Sequence, residues 1–249
     1  MVSYQEVMML VLNPFHRLHL SRWLCAATLA AGLTALPVSF AAAADTVTSR
    51  PFEIVELSGQ YGRNTKGFVC KIVYPWVMSA QRSEAAEEIS EELSERAWKF
   101  AQNYVSRRSK PDAGNESNDL GYEVKCNNGQ YLSLNLYHYY YAEHAAHPLY
   151  GKDGLTFNAE TGKLLKWKDL VRPADKEAFT LAAINQKLLT SKYAMNDAFY
   201  PDFHGLKKLP QNYYVDEQGY IHFMFMPYEI GPYASGLIDL NMEKKAKDL

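Results

Sequence analysis

The spacing of apolar residues along the chain changes period several times, and each change marks an element. Phe52–Leu57 and Gly67–Val77 alternate, the second placing Phe68, Cys70, Ile72 and Tyr74 on one face. Alternation is what a half-buried strand requires, and Pro75 is expected to end that ladder. From Ser83 the repeat lengthens to three and four through Ala86, Ile89, Leu93, Ala97, Phe100 and Tyr104, which predicts an amphipathic helix over Ser83–Arg108. Glu84, Glu87 and Glu88 open it and Arg107, Arg108 and Lys110 close it, matching the helix dipole, and Pro111 stops it. Asp112–Leu120 is polar and turn-rich. Tyr122–Cys126 and Tyr131–Tyr141 flank Asn127-Asn128-Gly129, a hairpin signal.

The Tyr131–Tyr141 strand is the centre of the pattern. Leu132, Leu134, Leu136, His138 and Tyr140 share one face; Tyr131, Ser133, Asn135, Tyr137, Tyr139 and Tyr141 share the other. Ala142–Gly154 then reads as a loop of small residues, histidines and glycines, and Leu155–Asn158 as a short strand. Leu164–Trp167 pairs back after a turn, and Ala174–Leu189 is expected as a second helix behind Pro173. Ser191–Leu209 reads as a short helix and a loop. Asn212–Val215 and Tyr220–Met226 predict another hairpin, followed by a stiff Pro227–Gly236 loop, a closing strand at Gly236–Leu240 and a charged tail from Glu243. The order predicts an α+β fold, mostly antiparallel sheet with two main helices packed on it.

Two stretches carry a resemblance to a known family. HAAHP at 144–148 with TFNAETGKLLKWKDLV at 156–171, and IHFMFMPYEIGPYASG at 221–236, resemble the RsiV-type extracytoplasmic domain with its paired DUF4163 and DUF3298 regions. The likeness runs from Phe52 to Met242, with a first region at 52–141 and a second at 155–242. The resemblance implies an envelope domain that meets cell-wall hydrolases such as lysozyme, or cell-wall sugars. It implies no reaction.

Composition and the N-terminus agree with an exported domain. The 249 residues are 47% hydrophobic with a net charge of −2, enough for a real core and without a basic footprint for nucleic acid. Arg17 and Arg22 precede the apolar run Trp23–Leu36, and Ala42-Ala43-Ala44 offers a cleavage site. Residues 1–44 are therefore read as a signal peptide, with the periplasm as destination and no membrane contact after cleavage. An uncleaved anchor over Trp23–Ala44 is the alternative. Losing Cys25 leaves Cys70 and Cys126, whose alternation phases both point to the core, so a Cys70–Cys126 disulfide is expected.

Candidate chemistry is mostly absent. The chain holds no H-E-x-x-H, no G-x-S-x-G, no Gly-rich phosphate loop and no C-x-x-C. His144-x-x-His147 could share a metal only on one helical turn, and Pro148 argues for a loop, so no metal and no cofactor are expected. Glu229 sits between Tyr228 and Tyr233, but a glycosidase needs a second carboxylate across the sugar, and Glu229 is read as an acceptor for loop amides. The 18 tyrosines suit a binding surface instead. The expectation is a non-enzymatic binding protein that recognises a cell-wall hydrolase through His144, His147, Tyr150, Tyr228, Glu229 and Tyr233. A peptidoglycan or polysaccharide module, or an accessory to glycan deacetylation, are the alternatives.

Overall fold

The structure is a computed structural model that describes residues 51–61, 68–107 and 115–248. The expected signal peptide lies outside the described residues. No helix among those described is long and apolar enough to cross a membrane.

Five strands form the first sheet in chain order: β1 (Glu53–Tyr61), β2 (Phe68–Met78), β3 (Glu116–Asn127), β4 (Tyr131–Ala142) and β5 (Leu149–Asn158). All neighbours are antiparallel except β2 and β3, which run parallel because helix α1 (Ser83–Arg107) carries the chain back between them. Pro75 does not end β2. It pairs with Glu56 inside the ladder, and the β2–β3 pairing has already stopped at Ile72↔Leu120, where a missing N–H begins to matter less. Ile89, Leu93 and Ala97, the predicted apolar stripe of α1, are fully buried. Ser90 Oγ accepts from Val77 N at 2.9 Å and donates to Val77 O at 3.1 Å, which pins the helix to β2.

The second sheet is β6 (Tyr213–Val215), β7 (Tyr220–Phe225) and β8 (Ile238–Lys245), all antiparallel. Short helices α2 (Trp167–Leu170), α3 (Leu181–Leu189) and α4 (Lys192–Met195) lead to it. The single second helix expected over Ala174–Leu189 is broken. Pro173–Phe179 is a 3-10 helix, and Thr180 then caps α3, its side chain accepting from Ala183 N at 3.3 Å. Trp167, Phe179 and Phe223 stack at the centre of this half, with ring centroids 5.3–6.2 Å apart. The closing strand also runs farther than alternation suggested, and Ala246, in the expected charged tail, is buried.

β4 joins the halves. Tyr131 through Asn135 are buried on both faces: Leu132 and Leu134 lie on the α1 side, and Ser133 on the other. Ser133 Oγ bonds Thr156 Oγ1 at 2.9 Å and accepts Val215 N at 2.9 Å, so the edge of β6 rests on the face of the first sheet. Gly154 permits that approach, since a Cβ there would lie 1.8 Å from the Tyr213 carbonyl oxygen. The outer edge of β5 is meanwhile occupied by side chains and loops. Lys152 N donates to Met226 Sδ, Gly154 N to Asn212 Oδ1, and Asn212 Nδ2 returns to Lys152 O. Leu165 N and Thr156 O, then Asn158 N and Lys163 O, continue the row.

The expected Cys70–Cys126 disulfide is not formed; both cysteines are free and buried. The parallel register explains it. Cys70 lies two residues before Ile72 and Cys126 six beyond its partner Leu120, eight positions along the strands or roughly 26 Å at 3.3 Å per residue. No disulfide spans that distance. Alternation gave both a buried phase but said nothing of their height on the sheet. Burial instead pushes the thiols up, to about 12 for Cys70 and about 11 for Cys126.

Candidate functional site

The stretch Ala142–Gly154 is mostly not a loop. β5 begins at Leu149, Tyr150 pairs with Tyr139, and the connection shrinks to residues 143–148. Across from it, residues 226–237 link β7 to β8. Glu229 Oε2 accepts Met226 N at 3.0 Å and Glu229 N donates to Met226 O at 3.0 Å, closing a tight turn. Ile230 is buried in the second core and anchors the turn, while Tyr228 is lifted out of it, half exposed with φ of 71°. A left-handed tyrosine costs about 1–2 kcal/mol and is held only where its surroundings fix it.

The two connections, 81 residues apart in sequence, meet at His147. Its ring stacks on Tyr233 at 3.8 Å between centroids and 20° between planes. Nδ1 lies 2.9 Å from Pro148 O, and a carbonyl only accepts, so Nδ1 donates. The other nitrogen, Nε2, lies 2.9 Å from the Tyr228 hydroxyl oxygen. Tyr150 meets Tyr233 edge-on at 5.6 Å, and Tyr228 lies 5.8 Å from Tyr233. Four of the sequence candidates, His147, Tyr150, Tyr228 and Tyr233, therefore form one aromatic junction, with Glu229 shaping the turn beneath it. His144 does not join: its side chain is 91% exposed and its nearest charged partner is Glu143, at 3.9 Å. Among the described residues no group of three His, Cys, Asp or Glu could hold a metal ion.

A second histidine site has no counterpart in the sequence reading. His222 of β7 is nearly buried, with Nδ1 at 2.7 Å from Asp239 Oδ1 and Nε2 at 3.1 Å from Asp216 Oδ2. The Tyr214 ring stacks on it at 4.6 Å, and the Tyr214 hydroxyl donates to Asp239 Oδ2 at 2.6 Å. Lys125 Nζ sits 5.0 Å over the Tyr214 ring. Burial works against the imidazolium, but the hydrogen bonds and charges of Asp239 and then Asp216 outweigh it and raise the His222 pKa. Burial would likewise raise Asp239, yet the bonds from His222 and Tyr214 bring it below the usual carboxylate value. With a carboxylate on each nitrogen, this cluster fastens β6, β7 and β8 and offers neither an open nucleophile nor a convergent ligand set. The only sequence signal was a lone histidine inside an apolar strand, which equally fits a satisfied core residue.

Comparison with known proteins finds a family match over the stretch that holds the His222 cluster and the second loop. Residues 168–245 match DUF3298, described as a protein of unknown function. That DUF3298 segment runs from α2 through β8, so Tyr228 and Tyr233 fall inside it while His147 and Tyr150 fall outside. Two solved structures share the fold. A DUF3298 member from Bacteroides fragilis NCTC 9343 is 16% identical, with 78% of this chain and 91% of that chain covered and a TM-score of 0.56. A DUF3298 protein from Pseudomonas aeruginosa PAO1 is 16% identical over 78% and 90%, with a TM-score of 0.52. No curated protein matches the chain.

Proposed function

We propose that this chain is a non-enzymatic binding protein of the cell envelope that recognises a cell-wall hydrolase of the lysozyme kind. The observation that carries the reading is the junction at His147, where two distant loops are locked together before any partner arrives. Preorganised aromatic groups lose little entropy on binding, and their rims offer hydrogen bonds to a cleft. The half-exposed Tyr228 tip is the part a partner would meet first. The resemblance to the RsiV-type domain, including its DUF4163 region, and the signal-like N-terminus support an extracytoplasmic setting for that encounter.

A glycan-binding role for the same junction is less well supported. Sugars stack on open ring faces, whereas one face each of His147 and Tyr233 is taken by the other. The test is capture of lysozyme set against insoluble peptidoglycan. His147→Ala and Tyr228→Ala are expected to weaken lysozyme binding at least about tenfold, or about 1.4 kcal/mol. Equal binding by both variants, or none by the parent protein, sinks the reading.

A further inference from the structure

Below the junction, where the last described turns of α1 approach the far ends of β3, β4 and β5, a cleft of about 430 Å³ opens. That volume falls within the range of roughly 300–1,000 Å³ usual for small-molecule sites. Phe100, Tyr139, Tyr140, Leu149 and Tyr150 make its aromatic and apolar walls, and Asn103, Asn118 and His138 its polar ones. Among the described residues no charged side chain lines it. Asp153 stands near His138, 3.9 Å from Nδ1. The His138 ring lies across Gly151, where a Cβ would be 2.5 Å from Nε2, so the strand's glycine makes room for the ring.

We infer that this cleft binds an uncharged saccharide, at a site that adjoins the hydrolase-binding junction and shares Tyr150 with it. The lining excludes the other common classes. A phosphate or carboxylate ligand requires cationic or clustered N–H donors, and among the described residues no Lys or Arg lines the walls. A wholly apolar ligand would strip water from Asn118 and His138 without replacing its hydrogen bonds. A pyranose answers both demands. Its C–H face packs on aromatic rings, and each hydroxyl both donates and accepts, as the Asn118 amide and a neutral imidazole also do.

The test uses the chain from Asp45 onward with chitotriose and cellotriose as probes, followed by calorimetry. Saturable binding of at least one trisaccharide is expected, with none of inorganic phosphate. Asn118→Ala and Tyr140→Ala should weaken it at least about tenfold, with folding checked by circular dichroism. Asn118 is only partly buried, so its variant keeps the test meaningful if Tyr140→Ala unfolds. Tyr228→Ala should lower hydrolase capture and leave the trisaccharide affinity in place, which separates this inference from the proposed function. Absence of saturable trisaccharide binding, or affinity unchanged in both cleft variants, overturns it.

Discussion

His147 and His222 are built alike and do different things. Each stacks on a tyrosine, and each has both ring nitrogens within hydrogen-bond distance of a partner. The partners differ. His222 faces two carboxylates, which favour its charged form against the cost of burial, and it ties three strands together. His147 faces a backbone carbonyl and a tyrosine hydroxyl at the surface, so its bonds order two loops and engage no carboxylate. The lesson is that the chemistry of the partners, more than the histidine or its ring stack, separates a clasp from a contact surface.

Removing the clasp should have the largest effect. His222→Ala takes away the hydrogen-bonded partner that Asp216 and Asp239 share, and is expected to lower unfolding free energy by about 3 kcal/mol in urea titration. Tyr214→Phe keeps the stack but deletes the hydroxyl on Asp239, for a loss of about 1–2 kcal/mol. The same clasp predicts a pH window. The raised His222 pKa gives stability that is complete below the unfolded value of about 6.5 and lost as pH rises through the folded one. The lowered Asp239 pKa gives stability present above about 3.9 and lost as pH falls through its folded value. Urea midpoints should therefore peak between about pH 4 and 6.5, and His222→Ala should flatten that peak. At the other site, His147→Ala should cost under about 1 kcal/mol, and Tyr228→Phe under about 0.5. A loss at His147 as large as that at His222 would erase the distinction.

The sequence made the α+β class, α1 and both hairpins legible, because each rests on a local signal: a repeat of three and four, or a turn between alternating runs. The failures come from tertiary causes. Gly151 and Gly154 look like loop residues, yet one makes room for the His138 ring and the other for the Tyr213 carbonyl inside a strand. The Cys70–Cys126 pairing failed because a face assignment carries no height. At the candidate junction the right residue types were visible in the two loops, but their meeting depends on β5 reaching back to Leu149. The His222 clasp was hidden because Asp216 and Asp239 lie six positions before it and seventeen after it.

The occupied edge of β5 bears on how copies of this protein behave at high concentration. A bare strand edge invites a second chain to continue the sheet, which is the first step toward fibres. Here Asn212 holds Lys152 and Gly154 as a neighbouring strand would, and Met226, Leu165 and Lys163 fill the adjoining positions. Stacking through that side would first have to displace a segment of the second half. The opposite edge is β1, where Glu53 and Glu56 are exposed and would bring like charges together if two copies aligned. One flank of the sheet is thus plugged and the other is electrostatically guarded. Asn212→Ala, by unplugging the first, should make itself known as turbidity on storage before any fall in melting temperature.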